Sequence, residues 1–120
     1  MGKTVLIVDD SLFVRNLMRD ILQDAGIKNI VDAIDGKDSI EKYDLAKPDL
    51  VFMDIMMPGM NGIDAMKEII LRHKDAKIII ITSIQQSAVI KDALNSGALD
   101  FISKPVKREE VQSQIKKYFG

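Results

Sequence analysis

Three aspartates that directly follow short apolar runs are the residues of this sequence best suited to chemistry. Asp9 and Asp10 follow the run TVLIV, and Asp54 follows LVFM. If the fold brings them together, the carboxylates repel one another, and their pKa values rise unless a cation neutralises them. Because the set offers only a few oxygen ligands, it favours Mg²⁺, which keeps several waters and accepts a phosphate oxygen, over Zn²⁺ or a dedicated Ca²⁺ cage.

A hydroxyl and an ammonium follow two further apolar runs. Thr82 and Ser83 come after the run KIIII, and Lys104 stands before Pro105, shortly after LDFI. A carboxylate beside bound Mg²⁺, with Lys and Thr opposite, is suited to receive a phosphoryl group. The metal and the ammonium neutralise charge on the equatorial oxygens while the carboxylate attacks in line.

The alternation of β-branched runs with longer amphipathic segments predicts the elements that position these residues. The apolar runs lie at 4–8, 29–33, 50–53, 77–81 and 99–102. In the segments between them apolar residues recur every three or four positions, as at 11–25, where Gly26 follows as a stop signal. This pattern predicts an α/β sandwich with a parallel sheet. The working site of such a sheet lies at the carboxyl ends of its strands, where the residues above converge.

Composition limits the classes of function that are open to the chain. Its 120 residues, 47% of them hydrophobic, predict a single domain over 1–120 with an ordinary core. A net charge of −1 gives no field for holding nucleic acid or an acidic membrane. The absence of Cys excludes disulfides and thiol chemistry and is compatible with a cytoplasmic protein. The apolar stretch 5–8 is too short for a signal peptide or a membrane span.

The order and spacing of the motifs resemble the receiver domains of response regulators across the whole chain. The matching pieces are Asp9-Asp10 after TVLIV, Asp54 in VFMDIMMPGMNG, Thr82-Ser83 after IIII, and Lys104-Pro105 in DFISKP. The resemblance implies a three-layer (βα)5, flavodoxin-like sandwich with strand order 2-1-3-4-5. It also implies a phosphorylation-dependent signalling switch of a two-component system, similar to the stand-alone chemotaxis regulators.

The resemblance implies a role for each residue of the metal and phosphoryl site. Asp54 would be the phosphoacceptor, which receives its phosphoryl group from a phosphohistidine of a histidine kinase. Asp10 and Asp54 would bind Mg²⁺ directly, Asp9 through water, and Met56 through its backbone carbonyl. Lys104 would bind the phosphoryl group, with its peptide to Pro105 often cis in the family. On this basis the chain is no enzyme but assists its own phosphorylation and dephosphorylation.

The resemblance also implies how phosphorylation is read by partners. Ser83 would be a further phosphoryl contact, and Thr82 and Phe101 would be the switch pair. The partner face would be the surface of the fourth helix, fifth strand and fifth helix, with Lys91, Asn95, Asp100, Lys107 and Gln112. The expected partners of this monomer are a chemotaxis-type histidine kinase, a motor-switch or adaptor protein, and a phosphatase. Phe101 lacks the hydroxyl of the tyrosine found in well-known chemotaxis members, so signalling through a hydroxyl is not expected.

Two apolar positions beside the site bear on how long the phosphoryl group lasts. Met56 lies two residues after the acceptor and Ile84 two residues after Thr82. In the family these positions vary and tune hydrolysis of the acyl phosphate. Neither side chain here offers a group to orient an attacking water. The sequence therefore predicts that spontaneous dephosphorylation is not fast.

Several alternatives compete with the reading of a chemotaxis regulator. A phosphorelay intermediate, or a receiver excised from a larger regulator, would share every motif. A Mg²⁺-dependent phosphohydrolase of the haloacid dehalogenase type needs a second Asp two residues after its first-strand nucleophile, where this chain has Ser11 after Asp9. A flavodoxin-like carrier needs a hydroxyl-rich phosphate loop, but the corresponding loop is acidic. Asp9 and Asp10 could instead cap the first helix, and the lone His73 is predicted to face solvent.

Overall fold

Strands and helices alternate along the chain in the computed structural model, which describes residues 2–83 and 87–120. The strands are β1 (Thr4–Val8), β2 (Asn29–Ala33), β3 (Leu50–Asp54), β4 (Ile78–Thr82) and β5 (Asp100–Ser103). The helices are α1 (Leu12–Asp24), α2 (Gly36–Ala46), α3 (Gly62–Arg72), α4 (Ser87–Asn95) and α5 (Arg108–Phe119). No described helix is both long and apolar enough to cross a membrane.

The strands form one parallel sheet in the order β2-β1-β3-β4-β5, which confirms the predicted topology. The order reverses between β1 and β3, so the chain leaves these neighbouring strands toward opposite edges of the sheet. A crevice opens at such a point, outside the carboxyl ends of the strands. Val8 pairs with Met53 in register, so Asp9 and Asp54 follow at the same level of this crevice.

Helices cover both faces of the sheet, and this accounts for the apolar character of its strands. Every residue of β3 and β4 is buried, as expected for parallel strands packed on both sides. Side chains alternate between two apolar clusters along each strand. One cluster, against α2, α3 and α4, includes Leu6, Val8, Met53, Met66 and Ala93. The other, against α1 and α5, includes Val5, Ile7, Phe52, Met18 and Ile115.

Element boundaries differ from the predicted ones by a single residue in the later strands. β3 extends to include Asp54, and β4 and β5 begin and end one residue later than predicted. Ser11 is the N-cap of α1, and its Oγ accepts a hydrogen bond from the Val14 N–H at 3.3 Å. The side chains of Asp9 and Asp10 are therefore not the caps of this helix, and that alternative is wrong.

His73, which was predicted to face solvent, is partly exposed, with 26% of its side chain accessible, and also makes contacts with α2. His73 ends α3, and its Nε2 lies 2.8 Å from Asp44 Oδ1. Its ring lies 4.7 Å from that of Tyr43, centroid to centroid. The contact of α2 with α3 partly covers this residue, and nothing in the local polar sequence shows that contact.

Candidate functional site

Three carboxylates meet at the carboxyl edge of the sheet. Asp9, Asp10 and Asp54 each offer an oxygen atom, and these atoms all lie within 4.8 Å of one another. Asp9 is 1% exposed and Asp54 2% exposed, whereas Asp10 is open to solvent. The structure thus gathers acids from two separate parts of the sequence into one cluster, in which two carboxylates are buried and one is exposed.

The environment of Asp54 opposes its ionisation. Burial, followed by the negative charge of Asp9, raises the pKa of Asp54 to about 6. The ammonium of Lys104 and the Met56 N–H act in the opposite direction, because each interacts favourably with the carboxylate. A cation bound beside Asp54 would therefore stabilise the ionised form of this carboxylate.

Lys104 is the cation that the chain itself places in the acidic cluster. Its Nζ lies 3.2 Å from Asp9 Oδ2 and 3.3 Å from Asp54 Oδ2. Burial alone would lower the pKa of Lys104, but the charges of Asp54 and Asp9 outweigh it and raise that pKa. The cluster thus contains three carboxylates and one ammonium. The negative charge that remains favours the binding of a further cation.

Backbone contacts hold Lys104 at the end of β5. Its N–H donates to the carbonyl of Thr82 at 2.8 Å, and its peptide to Pro105 is cis, as the family resemblance implied. Because Thr82 is the last residue of β4, this hydrogen bond joins the end of β4 to the end of β5 beside the acidic cluster. The side chain of Lys104 can then extend back over Asp54.

Asp9 provides the test of whether a divalent cation fits. Its Oδ1 accepts the Ser11 N–H at 2.8 Å. Its buried Oδ2 accepts no hydrogen bond from any described residue and has only the Lys104 ammonium close by. A buried carboxylate oxygen without a hydrogen bond is costly unless a cation or water completes its surroundings. With two neighbouring carboxylates, this oxygen fits a hard cation such as Mg²⁺.

Thr82 and Ser83 lie at the end of the strand that neighbours Asp54. Thr82 is fully buried as the last residue of β4, and Ser83, just beyond it, is exposed. Asp54 pairs in register with Ile81, so the hydroxyl-bearing residues follow directly on the adjacent strand. The structure therefore places both at the same edge as the acidic cluster.

Met56 is described by the structure, whereas the other apolar position predicted to affect the lifetime of the phosphoryl group is not. Met56 is 59% exposed, and its backbone N–H interacts favourably with the Asp54 carboxylate and lowers the pKa of that group. Ile84 lies outside the described residues. The role of the Met56 carbonyl as a metal ligand stays a prediction.

Gly62 is a positioning residue that the sequence did not single out. A Cβ on Gly62 would overlap the carbonyl oxygen of Asp54 and lie 2.8 Å from its carbonyl carbon. The Gly62 N–H donates to the Ile55 carbonyl at 2.9 Å. The start of α3 therefore packs directly on the backbone of Asp54. The pair Asn61-Gly62, so soon after the strand, is the signal that could have indicated this close approach.

The predicted partner face includes a shallow apolar groove between α4 and β5. Phe101, 36% exposed, borders a cavity of about 530 Å³. The other lining residues are Ser87, Ala88, Ile90, Lys91 and Leu94 of α4. Asn95 and Lys107 are exposed nearby in sequence, and Asp100 accepts hydrogen bonds from Tyr118 of α5.

Gln112 departs from the predicted partner face. Its Nε2 donates to Asp24 Oδ2 at 3.2 Å and to the Ile21 carbonyl at 3.4 Å, both in α1. The side chain therefore lies on the side of α5 that faces α1. The resemblance implied that Gln112 belongs to the surface shared with α4, but these contacts hold its side-chain amide against α1.

Comparison with known proteins gives consistent matches over nearly the full chain. The family described as response regulator receiver domain matches residues 5–116. The chemotaxis protein CheY of Thermotoga maritima is 46% identical over 117 residues, 98% of this chain and 98% of that protein. CheY of Bacillus subtilis is 42% identical over 117 residues, with the same coverage of both. The structure of a CheX–CheY–BeF3–Mg²⁺ complex from Borrelia burgdorferi aligns with a TM-score of 0.93 at 35% identity, covering 98% of this chain and 90% of that one.

Proposed function

This chain belongs to the response regulator receiver domains of two-component signalling, and on that premise we propose that it is a phosphorylation-dependent switch whose phosphoacceptor is Asp54. It is closely related to the CheY chemotaxis regulators. One observation supports the proposal above the others. A buried carboxylate at a strand end lies 3.3 Å from a lysine ammonium and within 4.8 Å of two further carboxylates.

Of the three carboxylates, Asp54 has the surroundings that suit an acceptor. Asp10 is exposed, and Asp9 already uses Oδ1 to accept the Ser11 N–H. Asp54 lies at the end of a central strand, with the hydroxyls of Thr82 and Ser83 following on the next strand. A phosphoryl group on Asp54 would therefore meet both Lys104 and these hydroxyls.

The proposed donor is a phosphohistidine of a histidine kinase. An oxygen of the Asp54 carboxylate attacks the phosphorus, the P–N bond breaks, and the histidine nitrogen keeps the electron pair and later takes a proton. Lys104 neutralises charge on the phosphoryl oxygens during this transfer. Mg²⁺, held by Asp9, Asp10, Asp54 and the Met56 carbonyl, would supply further positive charge to the same oxygens. The chain thus assists a transfer in which it is itself the acceptor.

The proposed output is a shift in population between two conformations of the domain. Phosphorylation would draw Thr82 toward the phosphoryl group, and Phe101 would follow at the groove beside α4. A motor-switch or adaptor protein would bind there, and a phosphatase would end the signal. We place the protein in the cytoplasm as a monomer, since these partners act on a diffusing regulator.

Phosphorylation by acetyl phosphate with Mg²⁺, followed by intact-mass measurement, tests the acceptor. We expect the wild type to gain one phosphoryl group and Asp54→Asn to gain none. Asp64→Asn, which changes an exposed aspartate at the start of α3, is the matched control and should label like the wild type. Labelling of Asp54→Asn equal to that of the wild type would overturn the assignment, and labelling in EDTA would overturn the metal dependence.

A further inference from the structure

Arg15 of α1 joins the acidic cluster to β2, the edge strand that neighbours β1. Its side chain is only 11% exposed. Its Nη1 donates to the backbone carbonyl of Asp9 at 2.8 Å, and its Nε donates to Asp32 Oδ2 in β2 at 2.9 Å. One guanidinium therefore contacts the end of β1 and the carboxylate of β2 at the same time.

Asp32 holds this guanidinium in place through its own further contacts. Arg19 Nη2 donates to Asp32 Oδ1 at 3.2 Å, and Lys42 Nζ donates to the Asp32 carbonyl at 3.1 Å. Arg19 also reaches the Ile30 carbonyl, but no described contact joins it to Asp9. The orientation of Arg15 is thus set independently of the acidic cluster.

The carbonyl that Arg15 binds belongs to the peptide between the first two acids. On the other side of the residue, the Asp9 N–H donates to the Ala33 carbonyl at 3.2 Å. The Arg15 hydrogen bond restrains the Asp9–Asp10 peptide, and the Ala33 hydrogen bond restrains the Val8–Asp9 peptide. Asp9 is therefore held on both sides, at the point where a buried carboxylate is followed by an exposed one, and both lie within 4.8 Å of Asp54.

We propose that Arg15, oriented by Asp32, is a positioning residue for divalent cation binding at the acidic cluster. The inference rests on the proposed metal-dependent function and assigns a determinant of cation affinity to a residue that does not touch the cation. An ammonium cannot replace it fully. The guanidinium of Arg15 donates from Nε and Nη1 to Asp32 and to the Asp9 carbonyl, which lie in different directions. An ammonium lacks this fixed arrangement of donors.

Calorimetric titration of the metal-free protein with MgCl2 tests the proposal. The matched control is Arg108→Met, which removes ion pairs with Asp20 and Asp24 of α1, whereas no described contact joins Arg108 to Asp9 or Asp32. Outer contacts of this kind typically change metal affinity by about 10- to 100-fold. We expect Arg15→Met to weaken Mg²⁺ binding by about 10-fold or more and Arg108→Met by less than about 2-fold. Arg15→Lys should recover part of the affinity, because its ammonium still reaches the Asp9 carbonyl. Equal affinity for Arg15→Met and Arg108→Met would overturn the proposal.

Amide hydrogen exchange without metal separates this proposal from the proposed function. Arg15→Met should speed exchange of the Ser11 N–H, whose acceptor is Asp9 Oδ1, by about 10-fold relative to Arg108→Met. Unchanged protection would overturn the positioning role even if the wild type bound no Mg²⁺. Failure of the wild type to bind Mg²⁺ would overturn the metal-dependent function instead. Asp32→Asn, which removes the acceptor of Arg15 Nε, should act in the same direction if Arg15→Met does not fold.

Discussion

The ionisation of Asp54 should cost the metal-free protein stability, and Asp54→Asn removes that cost. Burial and the charge of Asp9 raise the pKa of Asp54 from 3.8 to about 6. The folded state therefore binds this proton more tightly than the unfolded state does. The cost is absent below pH 3.8, grows as pH rises toward 6, and is complete above it.

The size of the effect follows from the two pKa values. Each pKa unit corresponds to about 1.4 kcal/mol, so the cost is about 3 kcal/mol at pH 7.5 and about 1 kcal/mol at pH 4.5. Asn cannot ionise, and its other effects on packing do not depend on pH. The stability of Asp54→Asn relative to the wild type should therefore rise by about 2 kcal/mol from pH 4.5 to pH 7.5.

Urea unfolding in EDTA, followed by circular dichroism at both pH values, measures this difference. Asp100→Asn is the control whose effect on stability should be nearly independent of pH in this range. Burial would raise the pKa of Asp100, but hydrogen bonds from the Phe101 N–H and the Tyr118 hydroxyl outweigh it and lower that pKa. The stabilisation by Asp100 is therefore present above its unfolded pKa of 3.8 and is lost only as pH falls through its lower folded pKa. Asp100→Asn should then lose nearly the same stability at pH 4.5 and at pH 7.5.

A gain for Asp54→Asn that is equal at both pH values, or larger at pH 4.5, would refute the reasoning about burial and charge repulsion. Excess Mg²⁺ provides a second check at pH 7.5. It should stabilise the wild type, because it neutralises the carboxylates, and reduce the advantage of the Asn variant. An advantage that is unaffected by Mg²⁺ would show that the cation does not reach Asp54.

Three further outcomes test other parts of the site. Gly62→Ala should lower stability by about 1–3 kcal/mol in urea unfolding and slow labelling by acetyl phosphate, because its Cβ displaces the Asp54 backbone. Labelling at the wild-type rate would contradict the role of Gly62 in positioning Asp54. Lys104→Met removes a charge that lowers the pKa of Asp54, so the pH at which labelling is half-maximal should move upward. An unchanged pH profile would show that the charge of Lys104 does not affect the ionisation of Asp54. Replacing Met56 with Asn and Ile84 with Glu should speed decay of the phosphorylated form in mass measurements, since both add groups that can orient water. An unchanged decay rate would contradict the prediction that these two apolar residues keep spontaneous dephosphorylation from being fast.

The family and the fold could be predicted because their signals are local and repeated. Buried parallel strands need apolar residues on both faces, and covering helices need a stripe every three or four residues. Both patterns are legible along the chain without knowing any contact. The motifs then reach one edge through a general property of parallel sheets, in which the carboxyl ends of the strands lie together.

The tertiary structure alone decided which distant side chains meet. The contacts of Arg15 with Asp9 and Asp32, and of Gln112 with α1, join elements whose relative rotation no periodic pattern specifies. The raised pKa of Asp54 has the same origin, because it depends on burial and on the distance to a carboxylate from another strand. Residue types and their spacing are written in the chain, whereas distances and electrostatic energies between remote residues exist only once the sheet and its helices have packed.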